Sequence, residues 1–218
     1  MAKPLLVIAN KNYSSWSLRP YMALAMAGLP FDEKMINFGE PHFGKEIRKI
    51  SPAGKVPTLV HGKLVIWDSL AILEYLAETF PDKNLWPKSK AARAMARSVS
   101  NEMHSGFQGL RNACPMNIRR PPKAIPMSTA AMADVARIET IWRDSRKNHG
   151  KGGKFLFGKF CNADAMFAPV VSRLETFAIP VAKDTRAYVD AVLSCKAFKT
   201  WKADALLESW IVPEDEVD

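Results

Sequence analysis

The run Pro81-Asp82-Lys83-Asn84-Leu85-Trp86-Pro87 separates two stretches whose hydrophobic residues repeat differently. Upstream, residues 4–9, 58–60 and 64–67 form short apolar runs suited to strands and residues 32–36 read as a further strand, while residues 17–27, 43–50 and 68–80 carry the spacing of helices. Downstream of residue 91 only helical patterns remain, in Ala-rich stretches at 91–109 and 130–146 with a proline-rich break from Arg119 to Pro126. The pattern predicts a small α/β domain over 1–81, a linker over 82–90 and an all-α helical domain over 91–218. Pro20 is expected in the first turn of its helix, where its missing N–H costs little, and Gly28 is expected to end that helix.

At 218 residues and 48% hydrophobic, the chain can bury one sizeable core or two small ones. Residues 1–11 hold too few consecutive apolar positions for a signal peptide or a membrane span, so a cytoplasmic protein without a membrane partner is expected. Cys114, Cys161 and Cys195 lie far apart and form no C-x-x-C, which speaks against a disulfide framework and a redox dithiol. The net charge of +9 is uneven, +2 over residues 1–81 and +7 over the rest. Its densest cluster, Arg143, Arg146, Lys147, Lys151, Lys154 and Lys159, surrounds Gly150, Gly152 and Gly153 and reads as a solvated loop. No nucleic-acid motif accompanies it, so no nucleic-acid partner is expected. His42, His61, His104 and His149 are scattered, and no metal site is expected.

Three motifs carry chemistry. The turn Asn12-Tyr13-Ser14-Ser15-Trp16-Ser17-Leu18-Arg19-Pro20 places hydroxyls between a strand and a helix N-terminus, where the dipole favours an anion such as a thiolate. Lys55-Val56-Pro57 leads into a strand. Asp68-Ser69 opens a helix patterned by Leu70, Leu73, Leu76, Ala77 and Phe80, and either residue suits an N-cap.

In this order the motifs resemble the glutathione-binding domain of the glutathione transferases, and Ser14-Ser15-Trp16-Ser17-Leu18-Arg19 is similar to the zeta-class run S-S-C-S-W-R, with Trp16 in place of its Cys. The resemblance is to a bacterial, serine-type member. It implies a thioredoxin-like N-terminal domain, an all-helical C-terminal domain, and glutathione as co-substrate whose thiolate attacks a small apolar electrophile, as in detoxification. It also implies a homodimer. Catalysis would fall to Ser14 and Ser15, with Ser14 as thiol donor and Tyr13 as its rival; Ser17 would cap the helix. Val56 and Pro57, joined by a cis bond, would pair with the cysteinyl unit, Asp68 and Ser69 would hold the γ-glutamyl end, and His42 or Lys55 the glycyl carboxylate. Glu102, Met103, His104, Phe107 and Arg111 are expected near the second substrate, with Met103 and Phe107 sharing a helix face or simply forming core. Asp164, three residues after Cys161, is expected to begin a buried helix by a capping box in which the thiol is a weak acceptor. Two alternatives stand beside this reading: a glutathione-dependent isomerase, and a non-catalytic ligand-binding module on the same fold.

Overall fold

The structure, a computed structural model, describes residues 2–38 and 41–217. Strands β1 (Leu5–Ile8), β2 (Asp32–Met35), β3 (Thr58–His61) and β4 (Leu64–Trp67) form one sheet in the order β2-β1-β3-β4. β1 runs parallel to β2, with Leu5 opposite Asp32, and antiparallel to β3; β3 and β4 form a hairpin in which Thr58 faces Trp67. Strand alternation sends Leu6 and Ile8 into the main core, while Val7 meets Ile36 and Ile47 in a small cluster on the opposite face. All four residues of the edge strand β2, Asp-Glu-Lys-Met, are exposed, and charge on such an edge discourages pairing with another chain.

Helices α1 (Ser15–Met26) and α3 (Ser69–Thr79) pack together, and the short α2 (Phe43–Arg48) contributes Ile47 to the smaller cluster. The helical part comprises α4 (Lys90–Ser105), α5 (Gln108–Ala113), α6 (Thr129–His149), α7 (Asn162–Thr176), α8 (Lys183–Leu193) and α9 (Lys196–Leu206). Every residue of α7 except Glu175 is buried, and α7 packs on α1, α4 and α8. The main core therefore runs unbroken from Leu6 in the sheet to Ala205 in α9. Among the described residues no helix is long and apolar enough to cross a membrane.

Several local expectations change. Helix α1 starts at Ser15, two residues earlier than its pattern predicts, so Ser14 is the N-cap and Pro20 falls in the second turn. A proline there deprives the Trp16 carbonyl of its usual donor four residues on. The far end follows expectation: Gly28, at φ +63°, lets its N–H reach the Ala25 carbonyl and Leu29 N–H reach Leu24, which closes the helix. Met103 and Phe107 share no helix face, because α4 ends at Ser105 and Phe107 adopts a left-handed conformation ahead of α5; both are core. Half of the basic cluster is helical rather than loop: Arg143, Arg146 and Lys147 lie in α6, where Arg143 pairs with Asp184.

At the start of α7, Asp164 accepts Cys161 N–H at Oδ2 (2.9 Å), and Leu156 N–H (3.0 Å) and the Tyr188 hydroxyl (3.1 Å) at Oδ1. The expected reach back to the N-cap is present. The carboxylate also ties the preceding loop and α8 to α7.

Candidate functional site

A cavity of about 530 Å³ lies beside the sheet where the first turns of α1 and α3 approach the loop before β3. Its polar lining comes from Lys55, Asp68 and Ser69, and its apolar lining from Trp16, Ala53, Val56, Pro57 and Trp67. The Val56-Pro57 bond is cis. Five of the expected site residues thus meet in one place: Lys55, Val56, Pro57, Asp68 and Ser69.

Asp68 is the N-cap of α3; its Oδ1 accepts Leu70 N–H at 2.9 Å and Ala71 N–H at 3.4 Å. Its φ of +73° is unusual for a residue with a side chain, and such strain tends to collect where a side chain must be aimed. Its Oδ2 lies 3.3 Å from His104 Nε2 on α4. His104 stays deprotonated to lower pH than an ordinary imidazole, first because of burial and then because Arg19 and Arg111 are near; Asp68 opposes this. Ser69 is fully buried, and its hydroxyl oxygen accepts from Arg19 Nη1 at 3.3 Å.

The serine turn is divided. Ser14 Oγ accepts Ser17 N–H at 3.4 Å and donates to Ser17 Oγ at 2.7 Å, so its hydroxyl caps the helix, the part expected of Ser17. Ser17 Oγ accepts Ala9 N–H at 3.3 Å and ties the turn to β1. The Ser15 hydroxyl makes no hydrogen bond among the described residues, although the residue is 93% buried from solvent by its 7% exposure. Tyr13 is engaged elsewhere, its phenol donating to Glu216 and accepting from Arg119. Burial, foremost, and the Glu216 carboxylate raise its pKa. Ser14, Ser15 and His42 are not among the cavity-lining residues, and His42 lies exposed ahead of α2 without a side-chain cap bond.

Trp16, Trp67 and Arg19 also belong to this region, though their sequence positions point less directly to it. Trp16 rests on two cations, with the guanidinium carbons of Arg19 and Arg111 4.1 and 5.1 Å from its ring centre, and meets the edge of His104. The departure from Cys at position 16 was a visible signal; the burial of Arg19 was not. Of the residues expected near a second substrate, His104 and Arg111 reach this region through Trp16, whereas Glu102 pairs with Arg137. Arg111 holds the end of α4 through the Met103 and Gly106 carbonyls. Among the described residues no group of three or more His, Cys, Asp or Glu is placed to hold a metal ion.

Residues 13–79 match the family described as "Glutathione S-transferase, N-terminal domain". The maleylacetoacetate isomerase of Rattus norvegicus is 30% identical over 204 residues, spanning 90% of this chain and 91% of that protein. A probable maleylacetoacetate isomerase of Caenorhabditis elegans is 40% identical over 110 residues, a match that covers 50% of each chain. In three dimensions, a glutathione transferase homolog from Burkholderia, crystallised with bound glutathione, superposes with a TM-score of 0.70 at 21% identity, covering 93% of this chain and 98% of that one.

Proposed function

The chain belongs to the glutathione S-transferase family, and from that premise we propose that it binds glutathione in the cavity beside the sheet and uses its thiolate on a small electrophile. One observation carries the reading: Lys55, Val56 and Pro57 from the loop before β3 and Asp68 and Ser69 from the start of α3 line a single cavity. In it, the Val56 main chain pairs with the cysteinyl unit, Asp68 attracts the γ-glutamyl ammonium and Ser69 takes the carboxylate. Lys55 faces the glycyl carboxylate in preference to His42, because Lys55 lines the cavity.

The thiol needs help to ionise. A free thiol with a pKa of about 8.5 is a few per cent thiolate near neutrality, and a downward shift of about 2 units corresponds to roughly 2.7 kcal/mol. The helix dipole and one hydroxyl donor supply such a shift. Ser15 is the donor in this reading, since it precedes the cavity-lining Trp16 and its hydroxyl makes no hydrogen bond among the described residues, and Ser14 shapes the turn as the N-cap. Binding then holds thiolate and electrophile together, which accelerates their reaction. Trp16 and Trp67, 36% and 45% exposed, offer apolar walls to the electrophile.

In this reading residues 1–81 carry the glutathione site, 82–90 link, and 91–218 shape the second-substrate pocket of a serine-type, cytoplasmic homodimer. A glutathione-dependent isomerase is the second reading, favoured by the names of the rat and nematode relatives and by the positive charge of Arg19, Arg111 and Arg173 nearby. Trp16 in place of the zeta-class Cys weighs against it. A non-catalytic module has no physical need for the complete set of cavity residues.

Calorimetry with glutathione and S-methylglutathione tests the reading, and both should bind. Ser69→Ala should clearly weaken retention on immobilised glutathione; unchanged retention removes the γ-glutamyl assignment, and no binding of either ligand to the wild type favours the non-catalytic module.

A further inference from the structure

The densest basic cluster of the chain has no part in the glutathione reading, and the fold gathers half of it around another cavity. That cavity, of about 290 Å³, lies where the end of α6 meets the glycine loop and the start of α8. Arg143, Arg146, Lys147, Asp184, Gly152 and Gly153 line it, so its walls are charged groups and bare backbone, with no apolar side chain among them. Such walls offer an apolar ligand little. The size, at the lower end for small-molecule sites, suits a compact polar one.

The charges in this lining are unbalanced. Arg143 is matched, its Nε donating to Asp184 Oδ2 at 3.0 Å. Arg146 is not: its Nη1 donates to the Asp184 main-chain carbonyl at 2.6 Å, and its Nε is buried with no acceptor among the described residues. Lys147 is exposed and forms no ion pair among the described residues, and the same holds for Lys151 and Lys154, which flank the two glycines in the chain. Three lining cations thus face one carboxylate, an excess of two positive charges. A solvated surface cluster keeps every cationic N–H in water, whereas Arg146 is held by a carbonyl with one N–H shut off from solvent. A guanidinium fixed in this way loses little freedom on taking a ligand. Gly153 keeps the loop close, since a Cβ there would stand 2.3 Å from the Gly158 carbonyl oxygen. Like charges crowded together repel, and an arriving dianion relieves the repulsion and neutralises the lining.

We propose that this cavity binds a phosphoryl group, a small dianion whose several acceptor oxygens can meet a guanidinium and an ammonium at once. Arg146 donates from its fixed position and Lys147 brings a mobile ammonium. Asp184 has the opposite effect: it holds Arg143, and its carboxylate repels the ligand. The phosphoryl group can arrive on a soluble compound or on a lipid headgroup, and the chemistry at the cavity is the same.

Calorimetry with inorganic pyrophosphate tests the site at about 0.15 M salt, where charges more than about 8 Å apart are largely screened. Lys147→Gln and Arg146→Gln should each weaken binding at least about fivefold, and Lys202→Gln, which removes the same charge from an exposed position on α9, by less than about twofold. Asp184→Asn should tighten binding about threefold or more. Lys147 is exposed, so Lys147→Gln carries the test even where Arg146→Gln fails to fold. Co-sedimentation with phosphatidylcholine vesicles, with and without phosphatidic acid, identifies the source. Capture by phosphatidic acid that Lys147→Gln abolishes assigns a lipid headgroup, and pyrophosphate binding without capture assigns a soluble compound. Binding of neither probe at this salt, or an equal loss in Lys147→Gln and Lys202→Gln, overturns the proposal and leaves the cluster a solvated surface. Retention on immobilised glutathione should be the same in all these variants, since none of their positions lines the glutathione cavity.

Discussion

Replacing Asp164 by Ala should cost far more than the loss of a helix cap. Three donors converge on this carboxylate: Leu156 N–H, Cys161 N–H and the Tyr188 hydroxyl. Asp164, Leu156 and Tyr188 are all 0% exposed, so water cannot replace the lost acceptor. At about 1–3 kcal/mol for each stranded buried donor, the gross loss is about 3–9 kcal/mol. Against this stands relief from burying the carboxylate, whose pKa is pushed from 3.8 up to about 6, chiefly by desolvation. Two pKa units correspond to about 3 kcal/mol, and subtracting that leaves an expected net loss of roughly 0–6 kcal/mol near neutral pH, centred on about 3 kcal/mol. Loss of a cap alone would be about 1 kcal/mol. Urea unfolding followed by tryptophan fluorescence measures the difference, and an Asp164→Ala variant no less stable than wild type would refute the reasoning. Asp164→Asn separates charge from shape. Because the folded-state pKa is raised, the carboxyl group's contribution is fully present below its unfolded value and is lost as pH rises through about 6. The stability of wild type relative to Asp164→Asn should therefore fall by about 3 kcal/mol between roughly pH 4 and 7. A rise over that range would show that hydrogen bonding outweighs desolvation.

Cys161→Ser should raise the melting temperature, since a hydroxyl caps better than a thiol and this thiol is buried; a lower value would count against the capping register. In an ultraviolet titration of bound glutathione, Ser15→Ala should raise the thiol pKa toward the free value while Ser14→Ala acts mainly on stability, and the reverse pattern would return the donor role to Ser14. Glutathione affinity should weaken as pH falls below the ordinary imidazole range, because protonated His104 competes with the ligand's ammonium for Asp68. His104→Gln should flatten that profile, measured by calorimetry with the ligand's own ionisation subtracted.

Sequence patterns reveal what depends on short-range order. The run around Leu6 and Ile8, the hairpin ending at Trp67, and the Asp68-Ser69 start of α3 are visible because strand alternation, turn chemistry and capping act over a few residues. Three serines within four positions, however, leave the helix start ambiguous by half a turn, and only the contact from Ser17 to Ala9 decides it. Gly106 offered a local reason to separate Met103 from Phe107, although an i,i+4 spacing masks it. Arg19 is the clearest limit: arginine normally lies at the surface, and nothing in the neighbouring letters signals full burial against a serine fifty positions away.

The serine turn is also held from the far end of the chain. Glu208 receives the N–H groups of Lys11 and Asn12, the Trp201 indole donates to the Lys11 carbonyl, and Glu216 takes the Tyr13 hydroxyl. As the chain emerges during synthesis, the strand, helix and hairpin of the first part can assemble before these supports exist. The turn that presents Ser15 is completed only when α9 and the segment after it arrive, so the order of synthesis delays a finished site until Trp201, Glu208 and Glu216 have emerged.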